Sequence, residues 1–165
     1  MLMKTLSRAC FVSVFFVLGA CTSDDTELAM TNVSYDIVPI AQRRFEWDTD
    51  TGPGWIKVLV EESTLGSKDA EVAEIFFPPG FSGTTHPHEL EIIYILEGEL
   101  DHIVNGESHV LKPGMVGVVR EPDLVVHRTN SPDGVRAIFV WPLGKEVAGF
   151  ESSGMREISL LPNAE

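Results

Sequence analysis

Three side chains that commonly bind metal ions lie close together near the middle of the chain. His86, His88 and Glu91 fall within six residues and directly precede an apolar run at residues 92–96. Two imidazoles and one carboxylate suit a divalent ion such as Zn²⁺, Mn²⁺ or Fe²⁺, because neutral nitrogen donors and one anionic oxygen match its ligand preference. The spacing therefore indicates a metal site at the start of a β-strand.

A third imidazole has to come from a distant part of the chain. His127 is the candidate, because it follows a second apolar run and is the first histidine after the turn at Pro113-Gly114. His102 is an alternative ligand, or else a buried histidine with a structural role. Glu89 is an alternative to Glu91 as the carboxylate. His109 lies beside a predicted hairpin turn and is expected to be solvated.

These residues resemble the two sequence motifs of the cupin superfamily. The first motif is matched by Gly80, His86, His88, Glu91 and Gly98, and the second by Gly114, His127 and Asn130. The resemblance covers roughly residues 55–141 and implies a metal held by His86, His88, Glu91 and His127. Only two residues separate His88 from Glu91, where the family usually has three or four. Since a one-residue change turns a strand side chain to the other face, Glu89 stays open as the ligand.

The rest of the domain has the pattern of a β protein. Short apolar or alternating runs recur at about ten-residue intervals from residue 35 to residue 141, and no window has a sustained helical period. Asn105-Gly106 is the sharpest turn signal, because both central residues of a type I′ turn need positive φ. The pattern predicts an all-β sandwich or barrel. Together with the resemblance, it predicts a double-stranded β-helix, which is a small jelly roll.

One predicted strand has two apolar faces. Glu91 shares the inner face with Ile93 and Ile95, while Tyr94 lies on the opposite face with other apolar residues. That outer face must be covered, either by flanking segments of the chain or by a second subunit. We favour a homodimer, which the resemblance also implies.

The start of the chain is typical of a secretion signal. A positively charged segment precedes an apolar run of about ten residues, which is too short to cross a bilayer. Leu18-Gly19-Ala20-Cys21 resembles a bacterial lipobox, so Cys21 is the predicted lipidation site, and an ordinary cleaved signal is the alternative. Thr22 in place of Asp after this cysteine favours the outer membrane, with the domain in the periplasm.

The chain is thereby divided into four segments. These are a lipoprotein signal peptide at residues 1–20, an acidic tether at 21–33, a cupin domain at 34–145 and a C-terminal tail at 146–165. Removal of the first segment changes the formal net charge from −13 to −15. Such an acidic chain is not expected to bind nucleic acid or anionic lipid, so the acyl chains alone would attach it to a membrane.

Two classes of function remain. Resemblance to small single-domain cupins implies a metal-dependent dioxygenase or lyase that acts on a small oxygen-rich substrate. The alternative is a non-catalytic module that binds a small ligand or metal while tethered to the membrane. We favour the enzyme. Because the chain is expected to be exported unfolded, it would acquire its metal after export. There the order of protein affinities for divalent metals favours zinc over manganese and iron. Zinc, manganese, nickel and iron all stay open as cofactors.

Overall fold

The computed structural model describes residues 41–162, which contain eleven strands and two short helices. In chain order these are β1 (Arg43–Trp47), β2 (Gly54–Val60), α1 (Glu62–Leu65), β3 (Ala70–Phe77), β4 (His86–Pro87), β5 (Leu90–Glu97), β6 (Leu100–Val104), β7 (Glu107–Leu111), β8 (Val116–Arg120), β9 (Leu124–Thr129), β10 (Val135–Pro142), α2 (Glu146–Ser152) and β11 (Arg156–Ser159). Within this described range, no helix is long and apolar enough to cross a membrane.

The strands form two antiparallel sheets. The larger has the order β11-β1-β2-β3-β10-β5-β8, and the smaller has the order β4-β9-β6-β7. Apolar side chains of both sheets join in one core cluster, to which β5 contributes Ile93 and Ile95 and the smaller sheet contributes Leu100 and Leu111. Two sheets that share one apolar interior have the jelly-roll arrangement, so the predicted fold class is confirmed.

Most predicted strands coincide with observed ones. The apolar runs between residues 55 and 141 correspond to β2, β3 and β5 to β10. Asn105 and Gly106 connect β6 to β7 with φ values of 50° and 86°, as the Asn-Gly turn requires. The sequence pattern predicts none of the short strands β1, β4 and β11. The stretch assigned to a C-terminal tail contains α2 and β11, and β11 pairs with β1.

Several predictions concern the start of the chain. The signal peptide, the tether, Cys21 and the predicted strand at residues 35–40 all lie outside the described residues.

Side-chain alternation along β5 agrees with the sequence prediction. Glu91, Ile93 and Ile95 are each 0% exposed, whereas Tyr94 between them is 43% exposed. Because successive strand residues point to opposite faces, this register directs the carboxylate of Glu91 into the interior.

Gly98 ends the strand that carries Glu91. Its φ is 76°, and a Cβ at this position would lie 2.2 Å from the carbonyl oxygen of Gly134. Any other residue would have both a strained backbone and a steric clash. The turn from β5 to β6 therefore requires glycine at position 98.

Candidate metal centre

Three potential ligands, His88, Glu91 and His127, converge in the interior from both sheets, and His86 lies beside His88. Nε2 of His88 lies 3.1 Å from Oε2 of Glu91, and Nε2 of His127 lies 3.3 Å from Oε1 of Glu91. Nε2 of His86 lies 3.0 Å from Nε2 of His88. His88, Glu91 and His127 are buried, and their ligand atoms all lie within 4.8 Å of one another. The structure thus holds a buried group that could bind a metal ion.

The short interval between His88 and Glu91 is explained by a change of sheet. His86 lies in β4, which pairs with β9 in the smaller sheet, whereas Glu91 lies in β5, which pairs with β8 in the larger sheet. His88 lies between the end of β4 and the start of β5, so no single strand carries both His88 and Glu91. Strand alternation therefore does not fix the relative orientation of their side chains. Glu89 lies outside the group, and its carboxylate accepts a hydrogen bond from Nζ of Lys145 at 2.7 Å.

Three separations between neighbouring donor atoms fit a divalent ion. Metal–nitrogen and metal–oxygen bonds of about 2.0–2.1 Å, at tetrahedral or octahedral angles, place neighbouring donor atoms about 2.9–3.4 Å apart. The observed separations of 3.0, 3.1 and 3.3 Å fall inside that range. Imidazole nitrogens together with a carboxylate oxygen are also a donor set that Zn²⁺, Mn²⁺, Ni²⁺ and Fe²⁺ accept.

Hydrogen bonds at the far side of two rings support the same assignment. Nδ1 of His86 lies 2.7 Å from the carbonyl oxygen of Thr84, and Nδ1 of His88 lies 3.3 Å from Oε1 of Glu146. Because both partners are acceptors, each Nδ1 can donate its proton to them, and a neutral ring then keeps its lone pair on Nε2 for a metal. The two Nε2 atoms lie 3.0 Å apart, a separation at which both can bind one cation.

Glu91 is an anion in a buried position. Burial raises the pKa of this carboxyl, but the hydrogen bond and charge of His127, followed by the charge of His88, outweigh burial and bring the pKa to about 2. Nε1 of Trp141 also donates to Oε2 of Glu91 at 2.9 Å and adds to the lowering. The group therefore presents a carboxylate rather than a carboxylic acid at neutral pH.

His86 and His88 differ in their affinity for protons. Burial lowers the pKa of His86 below its ordinary value, in spite of the opposing hydrogen bond to Thr84. For His88 the same effect of burial is outweighed by the carboxylates of Glu146 and Glu91, so its pKa is raised. Since a histidine must be neutral to bind a metal, protons compete with the metal more strongly at His88 than at His86.

His102 packs against a candidate ligand but is not one of the clustered donors. Its ring lies parallel to that of His127, with centroids 5.1 Å apart and planes at 8°. Its side chain is 2% exposed, and within residues 41–162 its Nε2 has no hydrogen-bond partner. Burial, and then the charge of His127, lower the pKa of His102 to about 4, so the ring is neutral. His109 on β7 is exposed, as predicted.

Three supporting groups have no signal in the sequence patterns. Trp141 is 50 residues from Glu91, Glu146 is 58 residues from His88, and Thr84 acts through its backbone oxygen. Only the pairing of β5 with β10 and the position of α2 bring the first two to the site. Trp141 is recognisable in sequence only as the end of an apolar run.

The ligand group lines a cavity of about 650 Å³. All four clustered residues contribute to its lining, and six aromatic side chains form much of the remaining wall: Trp47, Phe77, Phe81, Phe139, Trp141 and Phe150. A cavity of this size suits a small organic molecule.

Comparisons with known proteins agree with the fold. Residues 73–141 match the family model of the Cupin domain. Among solved structures, KdgF from Halomonas sp. has 22% identity and a TM-score of 0.51, over 62% of this chain and 91% of that chain. An RmlC-like cupin from Shewanella frigidimarina has 22% identity and a TM-score of 0.51, over 62% and 86% of the two chains. The domain match over residues 73–141 and these structural similarities agree on a cupin fold.

Two further similarities concern named enzymes. The predicted oxalate decarboxylase from Thermotoga maritima has 26% identity and a TM-score of 0.51, over 56% of this chain and 82% of that chain. Endoribonuclease YbeY from Myxococcus xanthus is 33% identical over 87 residues, which are 52% of this chain and 29% of that protein. The chain thus spans less than a third of the length of this curated relative.

Proposed function

We propose that this protein is a divalent-metal-dependent cupin enzyme, of dioxygenase or lyase type, whose substrate reaches the metal through oxygen atoms. The observation that carries the proposal is the buried group of His88, Glu91 and His127 at the wall of a cavity, with the imidazole of His86 beside it. A catalytic metal site needs coordination positions that a substrate can reach, whereas a structural site is closed by protein ligands. Ligands that line a cavity of about 650 Å³ meet that requirement.

The residues of the chain have separable roles in this proposal. His86, His88, His127 and Glu91 would hold the ion, which when bound supplies the positive charge that polarises a substrate oxygen. Trp141 orients the carboxylate of Glu91 by donating a hydrogen bond to Oε2. The carbonyl oxygen of Thr84 and the carboxylate of Glu146 keep the protons of His86 and His88 on Nδ1.

Similarity to the predicted oxalate decarboxylase supports a reaction at a carboxylate-bearing compound. Similarity to an endoribonuclease does not support a nuclease activity for this chain, because the chain covers only 29% of that protein. A formal net charge of −13 also disfavours contact with a phosphate backbone.

We also propose a location and an assembly. Leu18-Gly19-Ala20-Cys21 supports acylation of Cys21 and attachment to the outer membrane, with the domain in the periplasm. Tyr94, Val116 and Val118 form an exposed apolar patch on the outer face of the larger sheet, which supports a homodimer.

Metal content is the first test of the proposed function. Protein purified from its native cell envelope should contain about one equivalent of a divalent metal, measured by inductively coupled plasma mass spectrometry. The double variant His86→Ala, His88→Ala should contain almost none. Equal metal content in both proteins would contradict the assignment.

Turnover is the second test. Metal-loaded protein should consume dioxygen or release carbon dioxide with a panel of small carboxylic acids, and the double variant should not. Ligand binding without any conversion would favour a non-catalytic module over the enzyme.

A further inference from the structure

We infer that the cavity binds an aromatic acid, a molecule with a flat aromatic body and a carboxylate head group. This inference rests on the proposed function, because the carboxylate is assigned to the metal site. The aromatic wall would select the body of the ligand, and the metal site would select its head.

The wall is a continuous series of ring contacts. Phe81 stacks on Phe77 with centroids 5.1 Å apart, and Phe77 meets the edge of Phe139 at 5.9 Å. Phe139 lies 5.6 Å from Trp141, and Trp47 lies 5.7 Å from Phe81. Rings at these separations contact one another and present faces and edges to a neighbouring aromatic group. A flat aromatic body would therefore find complementary surfaces along the cavity.

This wall begins at a candidate metal ligand. Phe77 stacks on the ring of His127 with centroids 5.5 Å apart and planes at 20°, and Phe139 meets the same ring nearly edge-on at 5.5 Å and 78°. A ligand whose oxygen atoms reach the metal site must consequently place its adjoining atoms against aromatic carbon. This juxtaposition favours a carboxylate joined to an aromatic ring over a carboxylate surrounded by hydroxyl groups.

The one arginine of the described wall is already paired. Arg156 is the one arginine or lysine among the described residues that line the cavity, and its guanidinium pairs with the carboxylate of Glu46. Glu46 pairs with Arg44 as well. No second cation in the described lining is thus available for the other end of a diacid.

The charge at the metal site suits a monoanion. Three imidazole ligands and one carboxylate ligand would leave a bound divalent ion with one net positive charge. Opposite charges attract strongly in an interior of low dielectric constant. A short diacid such as oxalate could meet that charge, but it would leave most of the aromatic wall without contact.

Calorimetric titration of the metal-loaded protein tests the inference. The probes are benzoate, 2-naphthoate and 4-phenylbutyrate as aromatic acids, and oxalate and gluconate as controls. At least one aromatic acid should bind about tenfold more tightly than either control, which corresponds to one added ring contact. Phe81→Ala should weaken that binding about tenfold while leaving the metal content unchanged. Phe150→Ala is the second variant if Phe81→Ala does not fold.

A matched control lies on the opposite face of the larger sheet. Val118 is 43% exposed there, and Val118→Ala should leave the binding of all five probes unchanged. If oxalate or gluconate binds more tightly than every aromatic acid, the aromatic class is wrong while the metal site stands. If the protein takes up no metal at all, the proposed function is refuted together with the carboxylate anchor. Metal content measured on the same sample separates these two failures.

Discussion

Nδ1 of His88 lies 3.3 Å from Oε1 of Glu146, and this pair connects the ligand group to helix α2. The helix is itself held in place, because the buried carboxylate of Glu71 accepts a hydrogen bond from the backbone nitrogen of Val147 at 2.9 Å. An acceptor on the outer nitrogen of a ligating histidine fixes the ring orientation and makes the inner nitrogen a better ligand. The position of α2 therefore bears directly on metal affinity.

Glu146→Ala should weaken metal binding by about 10- to 100-fold without unfolding the protein, the usual cost of losing such a partner. Competition against a fluorescent zinc chelator measures the change, and a thermal melt of the metal-free protein checks the fold. Glu89→Ala is the matched control, since it removes a nearby carboxylate that binds Lys145 instead. Equal affinity in Glu146→Ala and Glu89→Ala would contradict the role of Glu146.

Removal of a direct ligand should have a larger effect. Glu91→Gln keeps an oxygen for the Trp141 hydrogen bond but removes the charge, and His127→Ala removes a nitrogen donor. Each should abolish stoichiometric metal in mass spectrometric analysis, whereas His102→Ala and His109→Ala should retain nearly all of it. Full metal content in His127→Ala would show that the two sequence motifs do not form one site.

His86, His88 and Glu91 could be named from sequence because their signals are local, whereas His127 required the resemblance to a second motif. The spacing of His86, His88 and Glu91 at the head of an apolar run indicates both the chemistry and the strand. Strand alternation then gives the direction of Glu91, which the burial of Ile93 and Ile95 confirms. The choice between Glu91 and Glu89 was not available from spacing, because it depends on the change of sheet between β4 and β5.

The supporting groups could not be named because their contacts are distant in sequence. Trp141 and Glu146 reach the site across 50 and 58 residues. Strands β1 and β11 could not be predicted for the same reason, because Arg43 in β1 pairs with Ser159 in β11 at the other end of the domain. Local propensity is weak in such short strands, and tertiary pairing decides their structure.

Acid stability should depend on Glu46. This carboxylate is 8% exposed and pairs with Arg156 and Arg44, and the hydrogen bond with Arg156 is the main cause of a pKa below the ordinary value of 4.5. Because the folded state then binds fewer protons than the unfolded state, the stabilisation is present above about pH 4.5 and is lost as the pH falls through the lowered pKa. Glu46→Gln removes this pH-dependent contribution.

Urea unfolding at a series of pH values measures that difference. Between about pH 5 and pH 3, the free energy of unfolding should fall less in Glu46→Gln than in the wild type. Glu107→Gln changes an exposed carboxylate on β7 and should follow the wild-type curve. Parallel curves for Glu46→Gln and the wild type would contradict the prediction.

Lipidation at Cys21 predicts a modified N-terminus in the mature protein. Mass spectrometry should find a diacylated or triacylated cysteine, and Cys21→Ser should block processing or release the protein from the membrane fraction. Cys10→Ser is the control, because Cys10 lies within the predicted signal peptide. A mature protein that begins elsewhere with an unmodified residue would show an ordinary secretion signal.

We predict that the exposed apolar patch on the outer face of the larger sheet forms a dimer interface, and that one introduced charge in this patch disrupts the dimer. Tyr94 is 43% exposed and pairs across strands with Val116, which is 55% exposed, and Val118 beside them is 43% exposed. In a twofold interface the same patch meets its own copy, so Val118→Lys would place two like charges close together. Analytical ultracentrifugation should find a dimer for the wild type and a monomer for Val118→Lys, with unchanged metal content.

Val110→Lys is the matched control, because Val110 is 39% exposed on the smaller sheet and its substitution should leave the dimer intact. A monomeric wild type would mean that a segment of the same chain, and not a second copy, covers this face.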